Sequence, residues 1–488
     1  MNWISKQIAP YGSWKAPVTS YMVASGVMRL GQVELEDKDI YWYEMRPSEA
    51  GRYVVVKRTP DGEMVDMNPS FFNARTRVHE YGGGAYNVNE GTVYFTNFSD
   101  QRLYKMKPGV KPEPITPETE LRYADFFFDT KRGKIICVRE DHRERGKEAA
   151  NTIASMDLEG EDSKVIVSGN DFYSSPRISP DCSRLAWLTW NHTNMPWDGT
   201  ELWVGKLGED GSVEEPEMVA GGLEESVLQP VWSPEGVLYF VSDRSNWWNI
   251  YFRKDGEVEP VCEREAEFAG PHWVFAQSNY AFESETSLIC SFTEKGEWYV
   301  ARLDTETGRL EAIETPYTHI SYLNVSNGYA VFIGGAPREA PSIVKLDLST
   351  HETEVVKRSS DISVEPGYLS MPKPIEFPTE NRLTAHAIYY KPSNKDYIAP
   401  LGELPPLLVF THGGPTGATS TTLSWTIQYW TSRGIAVVDV NYGGSTGYGR
   451  EYRQRLKGQW GVVDINDCVN AAKYLVDAGE VDREKLAI

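Results

Sequence analysis

The sequence has 488 residues, which is long enough for two or more domains, and its 40% hydrophobic share can form folded cores. A formal net charge of −21 disfavours binding to a phosphate backbone, so we expect no nucleic-acid partner. No apolar run reaches the roughly 18 residues of a membrane span, and the first twelve residues lack the apolar core of a secretory signal. The five cysteines are scattered without a CxxC pair, and the eight histidines are dispersed. We therefore expect a cytoplasmic protein with no membrane contact, no metal and no cofactor.

A repeated pattern occupies the chain from about Leu30 to Ser360. Each unit has an apolar strand, a polar turn and a second strand that ends in a short hydrophobic and charged phrase. The units are Lys38–Gly62, Gly91–Met106, Gly133–Gly160, Ser183–Leu207, Gly236–Gly256, Thr286–Gly308 and Gly328–His351. Their centres recur about every 40 to 55 residues, the period of a four-stranded propeller blade. Seven units predict a seven-bladed β-propeller; a pair of β-sandwiches is the alternative.

The pattern changes beyond about residue 370. Two continuous apolar strands, LLVFTH and IAVVDVNY, flank a predicted helix over Thr421–Gly434, with Gly434 at its C-cap. A glycine-rich loop and an amphipathic helix over Asp464–Gly479 follow, and DREKLAI begins a third strand. We expect the apolar face of the second helix to include Val469, Ala472, Tyr474, Leu475 and Val476. This order predicts a parallel sheet covered on both faces.

Two glycine-rich segments directly follow the apolar strands. NYGGSTGYG (Asn441–Gly449) matches neither the dinucleotide fingerprint nor the P-loop in any register. THGGP (Thr411–Pro415) fits an α/β-hydrolase, in which backbone N–H groups after an early strand bind the oxyanion of a tetrahedral intermediate. Glycines allow close approach of substrate because they carry no Cβ. A tight turn without a ligand is the alternative interpretation.

The chain resembles the prolyl oligopeptidase family of serine peptidases, in its dipeptidyl aminopeptidase and acylaminoacyl-peptidase branch. The resemblance includes THGGP and NYGGSTGYG together with RVHEYGGGAY (Arg77–Tyr86), NMPWDGTELW (Asn194–Trp203), SDRSNWWNIY (Ser242–Tyr251) and HWVFAQSNYAF (His272–Phe282). It implies a seven-bladed β-propeller that caps an α/β-hydrolase domain. It also implies three parts: residues 1–28 packing with the hydrolase domain, a propeller over 29–365 and the N-terminal part of the hydrolase over 366–488. At Gly443 the family more often carries Arg, so the resemblance implies no role here for an arginine side chain.

The resemblance implies a Ser-Asp-His triad, with the serine in a G-x-S-x-G elbow after the third strand. Gly443–Gly447 matches that pattern but follows the second strand, and no histidine comes after His412. We therefore expect the triad beyond Ile488, an incomplete hydrolase domain, and no activity from these 488 residues alone. The missing half would come from the same chain or a second one, and the sequence decides neither this nor the oligomeric state.

The remaining site predictions concern a few residues. Gly413 and Gly414 are candidate oxyanion-side donors, and His412 and Tyr442 would line the site. His412 as a strand cap and Tyr442 as a core aromatic are the alternatives. Arg77, His79 and Glu80 are weaker candidates for binding a peptide terminus, and a structural polar network explains them equally well.

The predicted function is hydrolysis of short peptides by a serine aminopeptidase, dipeptidyl or acylaminoacyl peptidase, with the propeller excluding folded proteins. Two alternatives remain open. One is a non-catalytic propeller scaffold that binds partners, and the other is an esterase or amidase of the same fold.

Overall fold

The structure is a computed structural model that describes residues 6–24, 27–160 and 163–488. The predicted N-terminal segment therefore lies partly outside the described residues, at 1–5 and 25–26. Two parts are seen: a propeller that ends with the strand Thr353–Arg358, and an α/β part that begins with the strand Pro372–Pro378.

Seven four-stranded antiparallel sheets, each formed by consecutive strands, are the blades of the propeller. Blades 1 to 3 consist of the strands Arg29–Glu36, Asp39–Arg46, Arg52–Arg58 and Met64–Asp66; Tyr86–Asn89, Thr92–Thr96, Leu103–Met106 and Glu113–Pro114; and Leu121–Asp129, Lys134–Asp141, Ala150–Asp157 and Lys164–Val167. Blades 4 and 5 consist of Phe172–Ile178, Arg184–Trp190, Glu201–Leu207 and Val213–Gly221; and Val227–Trp232, Leu238–Ser242, Asn249–Lys254 and Glu257–Pro260. Blades 6 and 7 consist of Tyr280–Ser284, Ser287–Glu294, Glu297–Asp304 and Leu310–Ile313; and His319–Ser326, Tyr329–Ala336, Glu339–Asp347 and Thr353–Arg358. Each repeat predicted from the sequence is the middle hairpin of one blade, so the seven-bladed propeller is confirmed.

The first strands of the blades line a central channel and are tied to one another by side-chain hydrogen bonds. Gln32 of blade 1 donates to the carbonyl of Tyr86 in blade 2 at 2.5 Å, and the Tyr86 hydroxyl donates back to the carbonyl of Gln32. Gln229 and Tyr280 repeat this exchange between blades 5 and 6, at 2.8 Å in both directions. Asn324 closes the ring by donating from blade 7 to a backbone carbonyl of blade 1 at 2.5 Å. Buried backbone groups between blades are thereby satisfied.

The glycines of HEYGGG allow two linkers to cross above this channel. The linker between blades 1 and 2 meets the linker between blades 5 and 6, where Phe275 N–H donates to the Gly82 carbonyl at 3.1 Å. These linkers belong to nearly opposite sides of a seven-membered ring, so they can touch only across its axis. Gly82, Gly83 and Gly84 have φ values of +71°, +87° and +54°. A Cβ at Gly83 would lie 2.6 Å from the Phe275 backbone, so this contact requires glycine.

The α/β part contains a five-stranded sheet with helices on both faces. Its strands, in spatial order, are Pro372–Pro378, Thr384–Tyr390, Ala436–Asn441, Leu407–Thr411 and Leu486–Ala487. Its helices are Trp425–Thr431, Arg450–Gln454 and Val463–Asp477, and short elements elsewhere are the strands Gln7–Ile8 and Tyr397–Ile398, the helix Ser20–Ala24 and the 3-10 turns Pro47–Glu49, Pro366–Tyr368 and Glu380–Arg382. We call Leu407–Thr411, Ala436–Asn441 and Leu486–Ala487 the first, second and third parallel strands, since they pair in parallel as predicted. The sheet as a whole is mixed, because its other two strands pair antiparallel.

The helix Val463–Asp477 covers one sheet face and the helix Trp425–Thr431 the other. The prediction of the apolar face was partly wrong for the longer helix. Its buried residues are Asp467, Cys468, Ala471, Ala472 and Leu475, whereas Val469 is 45% exposed and Tyr474 37% exposed. Asp467 faces inward because it accepts a hydrogen bond from the Gly443 N–H at 2.7 Å.

The described part of the N-terminal segment packs against the α/β part. The strand Gln7–Ile8 pairs in parallel with Tyr397–Ile398. The Asn394 side chain donates to the carbonyl of Lys15 at 2.9 Å, and Val18 lies in an apolar cluster with Trp425. Among the described residues, no helix combines the length and the apolar character required to cross a bilayer.

Candidate active site

Two loops meet where the first and second parallel strands end. The HGGP loop (His412–Pro415) follows Thr411, and the YGGS loop (Tyr442–Ser445) follows Asn441. Because the two strands are parallel and paired in register from Leu407 with Ala436, their carboxyl ends lie at the same edge of the sheet. Ligand sites of open α/β sheets form at this edge.

Side chains of both loops form one hydrogen-bonded network. The rings of His412 and Tyr442 are stacked with centroids 4.4 Å apart. Nε2 of His412 lies 2.7 Å from the Ser445 hydroxyl, which itself donates to the carbonyl of Tyr442 at 2.8 Å. Nδ1 of the same ring lies 3.2 Å from the carbonyl oxygen of Gly413, so both ring nitrogens have a polar neighbour. The network fixes the imidazole in one orientation.

The Tyr442 hydroxyl orients the backbone of the HGGP loop. It lies 2.9 Å from the carbonyl oxygen of Gly414 and 3.3 Å from that of His412. In a trans peptide the N–H points away from the preceding carbonyl, so the N–H of Gly413 is directed away from Tyr442. In the described part of the chain, no acceptor bonds the N–H groups of Gly413 or Gly414. Both glycines are exposed, and a Cβ at either would meet nothing within 4 Å.

Gly413 and Gly414 line an open groove of about 800 Å³. Its lining includes His412, Gly413, Gly414, Tyr442, Trp460 and Val469, and the last three residues, Leu486, Ala487 and Ile488, border it as well. Val469, which is exposed on the long helix, forms one wall of this groove. Unpaired N–H donors beside an apolar groove can stabilise a developing oxyanion.

Burial shifts the pKa values of three ionisable groups in this region toward their uncharged forms. Removal from water lowers the pKa of His412 and raises the pKa of Tyr442 to about 12. Burial also raises the pKa of Asp439, whose carboxylate accepts from the Thr419 hydroxyl. His412 is thus a neutral imidazole and Tyr442 a neutral hydrogen-bond donor.

Ser445 does not occupy the position of a nucleophile. Its side chain is fully buried, and its hydroxyl is engaged by both Tyr442 and His412. A hydroxyl without access to the groove cannot attack a substrate carbonyl. The sequence interpretation considered Ser445 only as a nucleophile and missed its contact with His412, because the two residues lie 33 positions apart.

Arg77, His79 and Glu80 lie on the linker between blades 1 and 2 and do not line this groove. His79 packs among Phe172, Trp190 and Phe275, and burial lowers its pKa to about 3. The Arg77 guanidinium lies 4.5 Å from the centre of the Phe98 ring, and Glu80 pairs with Arg122 at 3.2 Å. The structure therefore does not bring these three residues together with His412.

The sequence interpretation also missed an ionic cluster that joins the propeller to the α/β part. Arg453 and Arg450 each bond Asp243 at 2.6 Å, and Arg453 lies 3.6 Å from Glu267. The side chains of Asp243 and Glu267 are 0% exposed and that of Arg453 is 1% exposed. Asp243 lies in the motif SDRSNWWNIY and Arg453 just beyond the glycine loop, which was the available signal.

The propeller and the α/β part, with loops converging at the carboxyl edge of the sheet, define a propeller-capped α/β-hydrolase. The family model for the prolyl oligopeptidase family matches residues 421–488. A puromycin-hydrolyzing peptidase of Mycobacterium tuberculosis is 40% identical with a TM-score of 0.93, over 99% of this chain and 76% of that one. The chain therefore belongs to the prolyl oligopeptidase family of serine peptidases.

Curated relatives match over shorter stretches. Dipeptidyl-peptidase 5 of Aspergillus fumigatus is 35% identical over 310 residues, which are 62% of this chain and 35% of that protein. Acylamino-acid-releasing enzyme 2 of Oryza sativa subsp. japonica is 35% identical over 83 residues, 17% of this chain and 11% of that protein. The aligned part thus spans well under two thirds of these curated relatives.

Proposed function

We propose that this protein provides the access-controlling propeller and the oxyanion side of a serine peptidase that hydrolyses short peptides, as an aminopeptidase, dipeptidyl or acylaminoacyl peptidase. The main support is that Gly413 and Gly414, whose N–H groups have no acceptor in the described part of the chain, line the groove at the carboxyl edge of the parallel strands. One oxyanion donor of this kind contributes about 3 kcal/mol to transition-state stabilisation.

In this proposal, each polar residue of the network has a separate role. Gly413 and Gly414 donate to the oxyanion, and Tyr442 holds the carbonyls of the HGGP loop so that these donors point into the groove. His412 is a positioning residue that stays neutral. Ser445 orients His412 and takes no part in the chemistry.

We further propose that the Ser-Asp-His triad is supplied by polypeptide outside residues 1–488, either in continuous sequence or in a second chain. Residues 1–488 alone should then hydrolyse no peptide. Adding the rest of the hydrolase domain should confer hydrolysis of aminoacyl- or dipeptidyl-nitroanilides and labelling by a fluorophosphonate. Puromycin is a suitable further substrate, because the mycobacterial relative hydrolyses it. Absence of labelling of any serine in the completed protein would exclude a serine peptidase.

Two substitutions test the assigned roles in the completed protein. Gly413→Ala places a methyl group in open space beside the donors, and we expect kcat/KM to fall at least about 10-fold with unchanged thermal stability. Ser445→Ala should leave fluorophosphonate labelling intact, since the nucleophile lies elsewhere. Loss of labelling in Ser445→Ala with a folded protein would instead make Ser445 the nucleophile.

Domain division and cellular location also remain proposals. We propose the parts 1–28, 29–365 and 366–488, supported by the packing of residues 7–18 on the α/β part. Five unpaired cysteines support a reducing compartment, and we propose the cytoplasm.

A further inference from the structure

A second cavity lies between the propeller and the α/β part, separate from the groove at the HGGP loop. This interdomain pocket has a volume of about 290 Å³. Its propeller side comes from the linker before blade 6, from Trp298 on the third strand of blade 6 and from the first strand of blade 7. Its other side comes from residues 416–420 and Thr446. Ligand pockets usually measure about 300 to 1,000 Å³, so this one suits a single side chain.

The lining of the interdomain pocket carries no acidic side chain, lysine or arginine among its 17 residues. Charged residues make up 24% of the sequence, so about four would be expected by composition. Its one histidine, His319, is neutral at physiological pH because burial lowers its pKa to about 4. A charged group entering this pocket would lose hydration without gaining an ionic partner, which is costly.

Aromatic side chains form much of the propeller wall. Trp273, Trp298 and Tyr322 line the pocket, and His319 meets the Trp298 ring edge-on at 5.9 Å. Trp273 is held from outside the pocket by an edge-to-face contact with Tyr81 at 4.6 Å. Aromatic walls favour an aromatic occupant, because offset and edge-to-face pairs add to the free energy of apolar burial.

The opposite wall continues directly from the HGGP loop and is held in place. Thr446 donates to the carbonyl of Thr416 at 2.7 Å, and Thr421 bonds Thr318 of the propeller at 2.6 Å. Two Cα–Cα steps separate Gly414 from Thr416, so their Cα atoms lie at most about 7.6 Å apart. This is about the length of two extended residues, so the wall of the pocket begins within that distance of Gly414.

We propose that the interdomain pocket is a subsite that binds an uncharged aromatic side chain of a peptide ligand and discriminates against charged ones. The assignment as a substrate subsite rests on the proposed peptidase function, whereas binding itself does not require catalysis. The preference is set by Trp273, Trp298 and Tyr322 on one side and by the uncharged residues 416–420 on the other.

The test uses residues 1–488 and three probes that share one phenol ring and differ in charge. N-acetyl-tyrosinamide is neutral, N-acetyl-tyrosine is anionic and tyramine is cationic. In calorimetric titrations we expect the neutral probe to bind at least about 10-fold more tightly than either charged probe. Equal affinities, a tighter charged probe or no detectable binding of the neutral probe would overturn the proposal.

A matched pair of substitutions locates the binding. Ala418 is an exposed residue of the pocket wall, so Ala418→Leu fills the cavity without disturbing a core. We expect Ala418→Leu to lower the affinity for the neutral probe at least about 10-fold. Ala312→Leu, at an exposed position on the outer strand of blade 6, should leave affinity unchanged. Equal effects of the two changes, or none from Ala418→Leu, would contradict the assigned location.

Failure of this proposal and failure of the peptidase proposal give different results. Selective binding that is lost in Ala418→Leu, without fluorophosphonate labelling of the completed protein, would support the pocket and refute the peptidase. Labelling and peptidase activity without selective binding would support the peptidase and refute the pocket. In an active completed protein, Ala418→Leu should raise KM for peptides with an aromatic residue more than for alanyl peptides.

Discussion

The interface between the propeller and the α/β part has two regions of opposite character. The ionic cluster of Asp243, Glu267, Arg450 and Arg453 is buried at the contact with blade 5, apart from Arg450, which is partly exposed. The interdomain pocket, at blades 6 and 7, leaves a void lined by uncharged groups. Buried ions tolerate little displacement, because each charge depends on its partner. The first region therefore fixes how the two parts are joined, and the second remains available to a ligand.

The largest effect should follow from removing the central cation of the ionic cluster. Arg453→Ala leaves Asp243 and Glu267 buried without a counter-charge, although Arg450 still pairs with Asp243. We expect a loss of about 3–5 kcal/mol in the free energy of unfolding, measured by urea denaturation. Lys457→Ala, at a side chain that is 64% exposed, should cost less than about 0.5 kcal/mol. A similar cost for both would show that the cluster does not hold the interface.

Next comes the linker crossing that supports the aromatic wall of the pocket. Gly83→Ala combines a left-handed backbone with a Cβ 2.5 Å from the Val274 side chain, and we expect a cost of about 3 kcal/mol. Gly91→Ala, with φ of +68° and nothing within 4 Å, should cost only about 1–2 kcal/mol. Gly83→Ala should also weaken the binding of N-acetyl-tyrosinamide, since it displaces the segment that carries Trp273. If Gly83→Ala leaves the affinity for this probe unchanged, the linker crossing does not support the pocket.

A smaller effect concerns the pH dependence of stability at the junction of the two regions. Burial lowers the pKa of His272, whose ring lies near Arg453, to about 3. The unfolded state protonates near pH 6.5, so this histidine favours the folded state at neutral pH and loses that contribution as pH falls from 6.5 toward 3. The free energy of unfolding should therefore fall by about 2 kcal/mol less between pH 7.5 and pH 5 in His272→Leu than in the unmodified protein.

The control for this measurement is His351→Asn, at an exposed histidine on a turn where φ is +61° and Asn is tolerated. Its unfolding free energy should change with pH as in the unmodified protein. If the unfolding free energy of His272→Leu changes with pH as in the unmodified protein, His272 is protonated equally in the folded and unfolded states.

The smallest effect is expected where the pocket wall is tied to blade 7. Thr421→Val removes the hydroxyl that bonds Thr318 at 2.6 Å and should cost about 1 kcal/mol. Thr411→Val, at an exposed side chain, is the matched control and should be nearly neutral. If Thr421→Val also leaves probe affinity unchanged, the wall of the pocket does not depend on this tie.

Much of the fold was predictable because its signals are local. The middle hairpin of every blade carries its own alternating apolar residues and turn residues, so the seven repeats were visible without tertiary contacts. The strand ends before His412 and Tyr442 were equally clear, since glycines interrupt both apolar runs. The buried face of the long helix was less clear, because the Gly443 N–H and Thr379 draw Asp467 inward, where periodicity predicts apolar residues.

The sequence by itself determined the repeat number, the change to an α/β pattern and the presence of glycine loops after parallel strands, because short-range periodicity and backbone freedom encode all three. Only the tertiary structure decided that Ser445 supports His412, that HEYGGG crosses to Phe275, and that Asp243 and Glu267 surround Arg453. It also brought together the uncharged walls of the interdomain pocket. These features join residues distant in sequence, and whether such residues meet depends on packing between whole elements.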